Sequence, residues 1–221
     1  MSRERYPKNF PDLPSVTTIL GAFPSPALIG WYKKMMAKEI KEISDKGLAI
    51  GSILHGLRIR IEKGEPFEIT TQYSEEVKNC LKSYLQWKKE RELTHILQSE
   101  TPMYSEKLGY VGTFDDLVKR GDDFVLLEYK TNNAIYDEHL EQVVAYKKLA
   151  EYFLKIKIKE LWVIRFSKDK PSFYDIPLYE TRQVLESETE EFFEMFNHKL
   201  AIYNFRKKRD IQWRLKNANN D

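Results

Sequence analysis

Glu128 and Lys130 stand two residues apart at the end of an apolar run, Phe124-Val125-Leu126-Leu127. In an extended chain, residues i and i+2 project to one face. A carboxylate and an ammonium therefore emerge side by side from a strand otherwise suited to a core. Upstream is Asp115, inside Gly112-Thr113-Phe114-Asp115-Asp116. Two acids near a lysine can hold a hard divalent cation through oxygen. Such a cation polarises a phosphate and activates water, and the lysine can orient that water or stabilise negative charge in the transition state. The chemistry these residues suit is metal-assisted cleavage of a phosphodiester. A surface ion-pair ladder is the alternative, but Leu117 and Leu126 share the face of the acids and argue against it.

The spacing also predicts a pairing. Gly121-Asp122 is a good two-residue hairpin turn. It sets Arg120 against Asp123, Asp115 against Glu128 and Thr113 against Lys130. Residues 94–105 precede Glu106-Lys107-Leu108-Gly109, a four-residue turn that sets Ser105 against Tyr110 and Glu100 against Asp115. Three neighbouring strands then present Glu100, Asp115 and Glu128 in one row. Directly opposed Cβ atoms lie roughly 4.5–5.5 Å apart, so the acids repel unless a cation sits between them. Successive strand residues face opposite ways. Asp116 therefore turns away, and Asp116→Asn is expected to spare both folding and most activity.

The elements that must carry these residues follow from local signals. Pro7, Pro11 and Pro14 keep residues 1–14 extended, and Ser15 caps a short helix through Leu20. Ser25-Pro26 starts a helix that is expected to reach Asp45. A second apolar helix is expected over 47–62, with Gly51 and His55 on one face, and a third over 74–91. After the strands, a helix spans 136–154 with Leu140, Val143, Val144, Ala150 and Phe153 as core candidates. Strands follow at 161–166 and 172–178, and an amphipathic helix at 181–205. A polar tail opens with Arg206, Lys207, Lys208 and Arg209. Hairpin strands followed by a crossover helix imply an α/β fold, a mixed central sheet flanked by helices, behind a helical N-terminal region.

The chain has 221 residues, 32% charged and 42% hydrophobic, with net charge +2. This suits one globular domain over 1–221: a helical part over 1–93, the sheet and crossover helix over 94–180, and the C-terminal helix and basic tail over 181–221. The single cysteine, Cys80, excludes an internal disulfide or a multi-cysteine metal site and reads as a small core residue. Met1 to Asn9 is polar, with no signal-peptide pattern, and no apolar run approaches a membrane span. A reducing, cytoplasmic compartment is expected, without secretion or membrane contact.

Gly112-Thr113-Phe114-Asp115, then Glu128-Tyr129-Lys130-Thr131, then Gln142-Val143-Val144-Ala145-Tyr146 on a helix resemble the PD-(D/E)XK nuclease superfamily. The nearest likeness is to its RecB-like, phage-type exonuclease branch, which includes the mitochondrial genome maintenance exonuclease. His55, in Gly51-Ser52-Ile53-Leu54-His55, matches the early histidine of that branch, and residues 14–20 look like its N-terminal segment. The acid-x-Lys triplet alone is weak, whereas the ordered set is specific and covers about residues 14–180.

The resemblance implies a restriction-endonuclease-like core. It implies His55, Asp115, Glu128 and the Tyr129 backbone carbonyl as ligands of Mg²⁺ or Mn²⁺, with Glu100 as a further acid. Lys130 would serve the attacking water, and Gln142 and Tyr146 would position DNA or Lys130. Ser15, Thr17, Arg206, Lys207, Lys208 and Arg209 are candidate DNA contacts. With one cysteine the chain departs from the iron–sulfur members. The activity implied is a metal-dependent DNA exonuclease preferring single strands or free ends, in replication, repair or recombination and alongside proteins of those processes. A structure-specific endonuclease and a non-catalytic DNA-binding protein are the alternatives.

Overall fold

In this computed structural model the described residues are 6, 10–91, 95–169 and 178–218. Four helices come first: α1 (Val16–Gly21), α2 (Pro26–Lys34), α3 (Ala37–Glu62) and α4 (Glu75–Glu90). Ser15 caps α1 and Ser74 caps α4 through their hydroxyls, each meeting an otherwise unpaired N–H of the first turn. The expected break near Asp45 is not there. Met35 is extended, at φ −122° and ψ 152°, and the Glu39 carboxylate accepts the Met36 N–H at 3.0 Å, restarting the helix at Ala37. Gly47 lies inside α3 in open space, a position that costs only about 1 kcal/mol against alanine.

The strands are β1 (His95–Ser99), β2 (Pro102–Ser105), β3 (Tyr110–Thr113), β4 (Asp116–Arg120) and β5 (Asp123–Lys130). Both turns act as their chemistry predicts. Gly121 takes φ 60° and Arg120 pairs with Asp123, continuing to Asp116 against Leu127. Gly109 takes φ 81° and Ser105 pairs with Tyr110. The continuous three-strand ribbon, however, is broken in two. Glu100 adopts a left-handed φ of 46°, and β2–β3 leave the main sheet to form a two-stranded sheet of their own. Thr113 therefore pairs with Pro102, not with Lys130, whose strand neighbour is Arg165. The physical reason is tertiary. Peeling away lets Phe114 reach the core fully buried and lets the Tyr110 hydroxyl bond the Ala145 carbonyl at 2.9 Å.

A helix α5 (Asp137–Leu154) carries the chain over to β6 (Ile158–Phe166), which lies parallel to β5. An antiparallel edge strand, β7 (Tyr179–Val184), follows, and then a long helix, α6 (Glu186–Ala218). The main sheet has the order β1-β4-β5-β6-β7. Residues 181–184, expected to begin a helix, instead complete the sheet against Leu161 to Ile164. The basic residues 206–209 lie within α6 and are no tail. The strand expected at 172–178 and most of the N-terminal stretch lie outside the described residues.

Strand alternation sorts the core into two layers. Leu117, Leu126 and Val163 face α1, α5 and α6. Val118, Val125, Leu127 and Ile164 face α3 and α4, where Tyr84, Trp87, Tyr129 and Phe166 form an aromatic cluster. Cys80 is buried there as expected. Of the α5 core candidates, Leu140, Val143, Val144 and Ala150 are buried, whereas Phe153 is partly exposed, its ring edge-on to Tyr104. The result is the expected α/β architecture, a mixed central sheet flanked by helices, consistent with a restriction-endonuclease-like core. Among the described residues no helix is long and apolar enough to cross a membrane.

Candidate active site

Three elements converge on the end of β5. Glu128 and Lys130 project from one face of the strand, and Gln142 and Tyr146 descend from α5 one helical turn apart. The Lys130 ammonium donates to Glu128 Oε1 and to Gln142 Oε1, each at 2.8 Å. Gln142 Nε2 donates to the same Glu128 oxygen at 2.8 Å and lies 3.0 Å from the Tyr146 hydroxyl. A closed polar network thus fixes the lysine. The Tyr146 ring lies close against β3, where only glycine fits: a Cβ on Gly112 would sit 2.8 Å from the ring.

Asp115 completes the group from the segment entering β4. Its Oδ2 accepts the Tyr129 backbone N–H at 2.6 Å, while the β4–β5 pairing itself ends at Asp116 against Leu127, one residue short of the expected Asp115–Glu128 pair. Glu100 is tied to the same segment by its N–H, which donates to the Asp115 carbonyl at 2.9 Å. From α3, His55 spans both acids, with Nδ1 2.6 Å from Glu100 Oε1 and Nε2 3.2 Å from Asp115 Oδ1. Burial works against a charged imidazole, but Asp115 and Glu100 outweigh it and raise the His55 pKa.

The electrostatics of Glu128 are unusual. Burial and then the Asp115 charge push its carboxyl up to about 7, although Lys130 opposes them. Its second oxygen, Oε2, is buried with no hydrogen-bond partner among the described residues. An orphaned carboxylate oxygen beside a second carboxylate is short of positive charge. Among the described residues, no three His, Cys, Asp or Glu side chains stand in a ready-made ligand arrangement. The donors nonetheless fit a hard divalent cation, being oxygen-rich and anionic.

Asp116 faces the other way, and its surroundings correct one expectation. It is fully buried, held by Arg58 Nη1 at 2.6 Å, Ser99 Oγ at 2.5 Å and the Tyr129 hydroxyl at 2.9 Å. Burial lifts its carboxyl above the usual range, opposed chiefly by Arg58, whose own charge is firmly held. Removing the Asp116 charge would leave the buried Arg58 with the more distant Glu100 as its remaining acid among the described residues, so the fold is not indifferent to this residue. Arg58 is the residue that the sequence reading missed. It lies one turn beyond His55 on the apolar α3, 1% exposed, its guanidinium 4.9 Å from the Tyr129 ring centre and 3.8 Å from Glu100. A lone arginine in Leu57-Arg58-Ile59 was the available signal.

The remaining candidates are engaged outside this network. The Ser15 hydroxyl accepts the Thr18 N–H at 3.1 Å and bonds the Thr17 hydroxyl at 3.1 Å, both as part of the α1 cap. Arg206 lies over Phe23 at 5.1 Å, and Lys207 is 4.0 Å from Asp12. Lys208 and Arg209 are exposed on α6.

No protein-family model matches the chain, and no curated protein sequence matches it. Among solved structures, it is similar to an alkaline exonuclease, LHK-Exo, from Laribacter hongkongensis. That likeness has a TM-score of 0.38 and 16% identity over 73% of this chain and 84% of that one. It is also similar to SSO0001, with a TM-score of 0.39 and 11% identity over 87% of this chain and 78% of that one.

Proposed function

We propose that this chain is a divalent-metal-dependent deoxyribonuclease, a single nuclease domain over 1–221, acting as an exonuclease on single-stranded DNA or free DNA ends. The observation that carries the reading is the buried Oε2 of Glu128, without a hydrogen-bond partner among the described residues, beside Asp115 and within a network that also fixes a lysine. Mg²⁺ or Mn²⁺ would be held by Asp115 and Glu128, with His55, the Tyr129 carbonyl and Glu100 as further donors. Bound there, the cation supplies Lewis acidity toward the phosphate and a water acidic enough to attack at neutral pH.

The chain's own residues do the rest. Lys130 keeps an ammonium at the reaction centre, where it orients the nucleophile and offsets charge on the phosphate. Gln142 holds Lys130 and Glu128 at a fixed separation, and Tyr146 anchors Gln142. The setting is the cytoplasm of a bacterial or archaeal cell or of a virus-infected host, with replication, repair or recombination proteins as neighbours.

Two measurements test the reading. Mn²⁺ titration by calorimetry should show binding that Asp115→Asn and Glu128→Gln each weaken at least tenfold. End-labelled single-stranded DNA should be degraded with Mg²⁺ and left intact in excess EDTA. Undiminished cleavage in EDTA would sink the mechanism.

A further inference from the structure

Among the described residues, nothing packs on the outer face of the distal half of α6 in a way that explains its large side chains. Phe196 and Leu200 on the inward face are buried, and Tyr203 packs beside them. At helical spacing the opposite face carries Ile202, Phe205 and Trp213, which are 44%, 66% and 67% exposed. Two large rings two-thirds in water are costly to leave uncovered. Between and around them the charge is strongly positive. Residues 205–216 hold six Lys or Arg and one Asp. The helix macrodipole favours cations near a C-terminus, but it gives no reason for exposed aromatic rings.

We propose that this segment of α6 is a docking surface for single-stranded nucleic acid, with Phe205 and Trp213 as stacking platforms and the surrounding cations taking phosphates. The proposal rests on the nuclease reading for the identity of the strand. Aromatic rings interleaved with cations bind a single strand irrespective of sequence, because every base has a face to stack and every linkage a charge. The two rings are eight residues apart, about 12 Å along the helix, so one strand can reach both. A second copy of this chain fits less well. Two rings offer about 150–250 Å² each, short of the ~800 Å² per partner typical of a stable protein interface.

The basic segment also meets the residues that flank α1. Arg206 lies over Phe23 and Lys207 approaches Asp12, on either side of α1. The Ser15 cap of α1 bridges to Val111, the neighbour of the Gly112 that supports Tyr146.

The test measures binding without cleavage, by fluorescence anisotropy of labelled oligonucleotides in EDTA. Wild type is expected to bind a long single strand far better than a very short one. Phe205→Ala and Trp213→Ala should each weaken binding of the long strand, on the order of tenfold for each stacking platform removed, and erase much of that length preference. Trp213→Phe keeps a ring and should recover most of the loss. Replacing Lys208 and Arg209 together with Ser should lower the salt slope by about 0.7 for each phosphate no longer neutralised. Wild-type affinity in both alanine variants overturns the assignment while leaving the nuclease reading in place. A wild type that neither binds nor cleaves DNA overturns both. Light scattering that finds a wild-type dimer, and a monomer for Trp213→Ala, assigns the surface to self-association and also overturns it.

Discussion

Asp115 is held beside His55 and the Tyr129 N–H, whereas its neighbour Asp116 is sealed against Arg58. The two acids should therefore fail in different ways when neutralised. Asp115→Asn keeps the shape and loses the charge a cation needs. Cleavage of end-labelled DNA is expected to fall at least ~10³-fold, the scale of losing a group that acts on the transition state, with the melting temperature little changed. Asp116→Asn takes from Arg58 the carboxylate that hydrogen-bonds it and leaves Glu100, 3.8 Å away, as its remaining acid among the described residues, and chemical denaturation should show a loss of up to about 3–5 kcal/mol. Replacing both partners by apolar residues, Arg58→Met with Asp116→Leu, should restore much of that stability.

Glu128 adds a pH dependence. Its carboxyl is held at about 7 against an ordinary 4.5, chiefly by burial. The folded chain thus holds this proton more tightly than the unfolded chain does. The associated stabilisation is complete below about 4.5 and is lost as pH rises through about 7. Over that window the metal-free protein should lose on the order of 3 kcal/mol more than Glu128→Gln does, read as the difference between their melting curves. No pH-dependent difference between the two would contradict the burial of this carboxyl.

At the level of elements, β3 supports the site through an absence. Gly112→Ala drives a methyl into the Tyr146 ring, 2.8 Å away. Overpacking of this kind costs about 1–3 kcal/mol. Because Tyr146 anchors Gln142, and Gln142 anchors Lys130, the expected signature is a fall in kcat accompanied by lower stability. Alanine at Gly47, which faces open space inside α3, should be neutral or slightly stabilising. The hairpin registers were legible because turn chemistry is local: Gly121-Asp122 and Glu106 to Gly109 each determine their own pairing. The break at Glu100 was not, because it depends on Phe114 and Tyr110 finding places under α5. Arg58 was hidden for a similar reason, since its partner lies 58 residues away. Residues 181–184 carry little apolar alternation and become a strand only because β6 offers an open edge. Glu128 and Lys130 stood out by their strand spacing, Gln142 and Tyr146 entered only through the resemblance, and the pairing of His55 with Glu100 needed the fold.

The whole molecule separates charge that nearly cancels in sum. Asp115 and Glu128 stand at one end of β5, residues 205–216 of α6 hold six Lys or Arg and one Asp, and the net charge is only +2. In the proposed nuclease, an acidic centre on a chain that also carries a basic helix face suits a polyanion held at more than one point along its length. Linear single-stranded DNA is therefore expected to be degraded several times faster than a closed circle of the same sequence. Comparing disappearance of the two on a gel decides this, and equal rates would favour an endonuclease.

The two-residue turn at Gly121-Asp122 also bears on what inheritance can do to this chain. Where a codon inserted or deleted there is taken up as a one-residue slip of β4 against β5 and not as a longer or shorter turn, every side chain of one strand exchanges faces. Because two acids stand side by side, such a lineage would still present a carboxylate opposite Glu128, now Asp116. It would do so by withdrawing the only acid that hydrogen-bonds Arg58 among the described residues. Length variation should therefore be purged from this turn more strictly than substitution. The segment between β5 and α5, which pairs with no strand, is where insertions can accumulate.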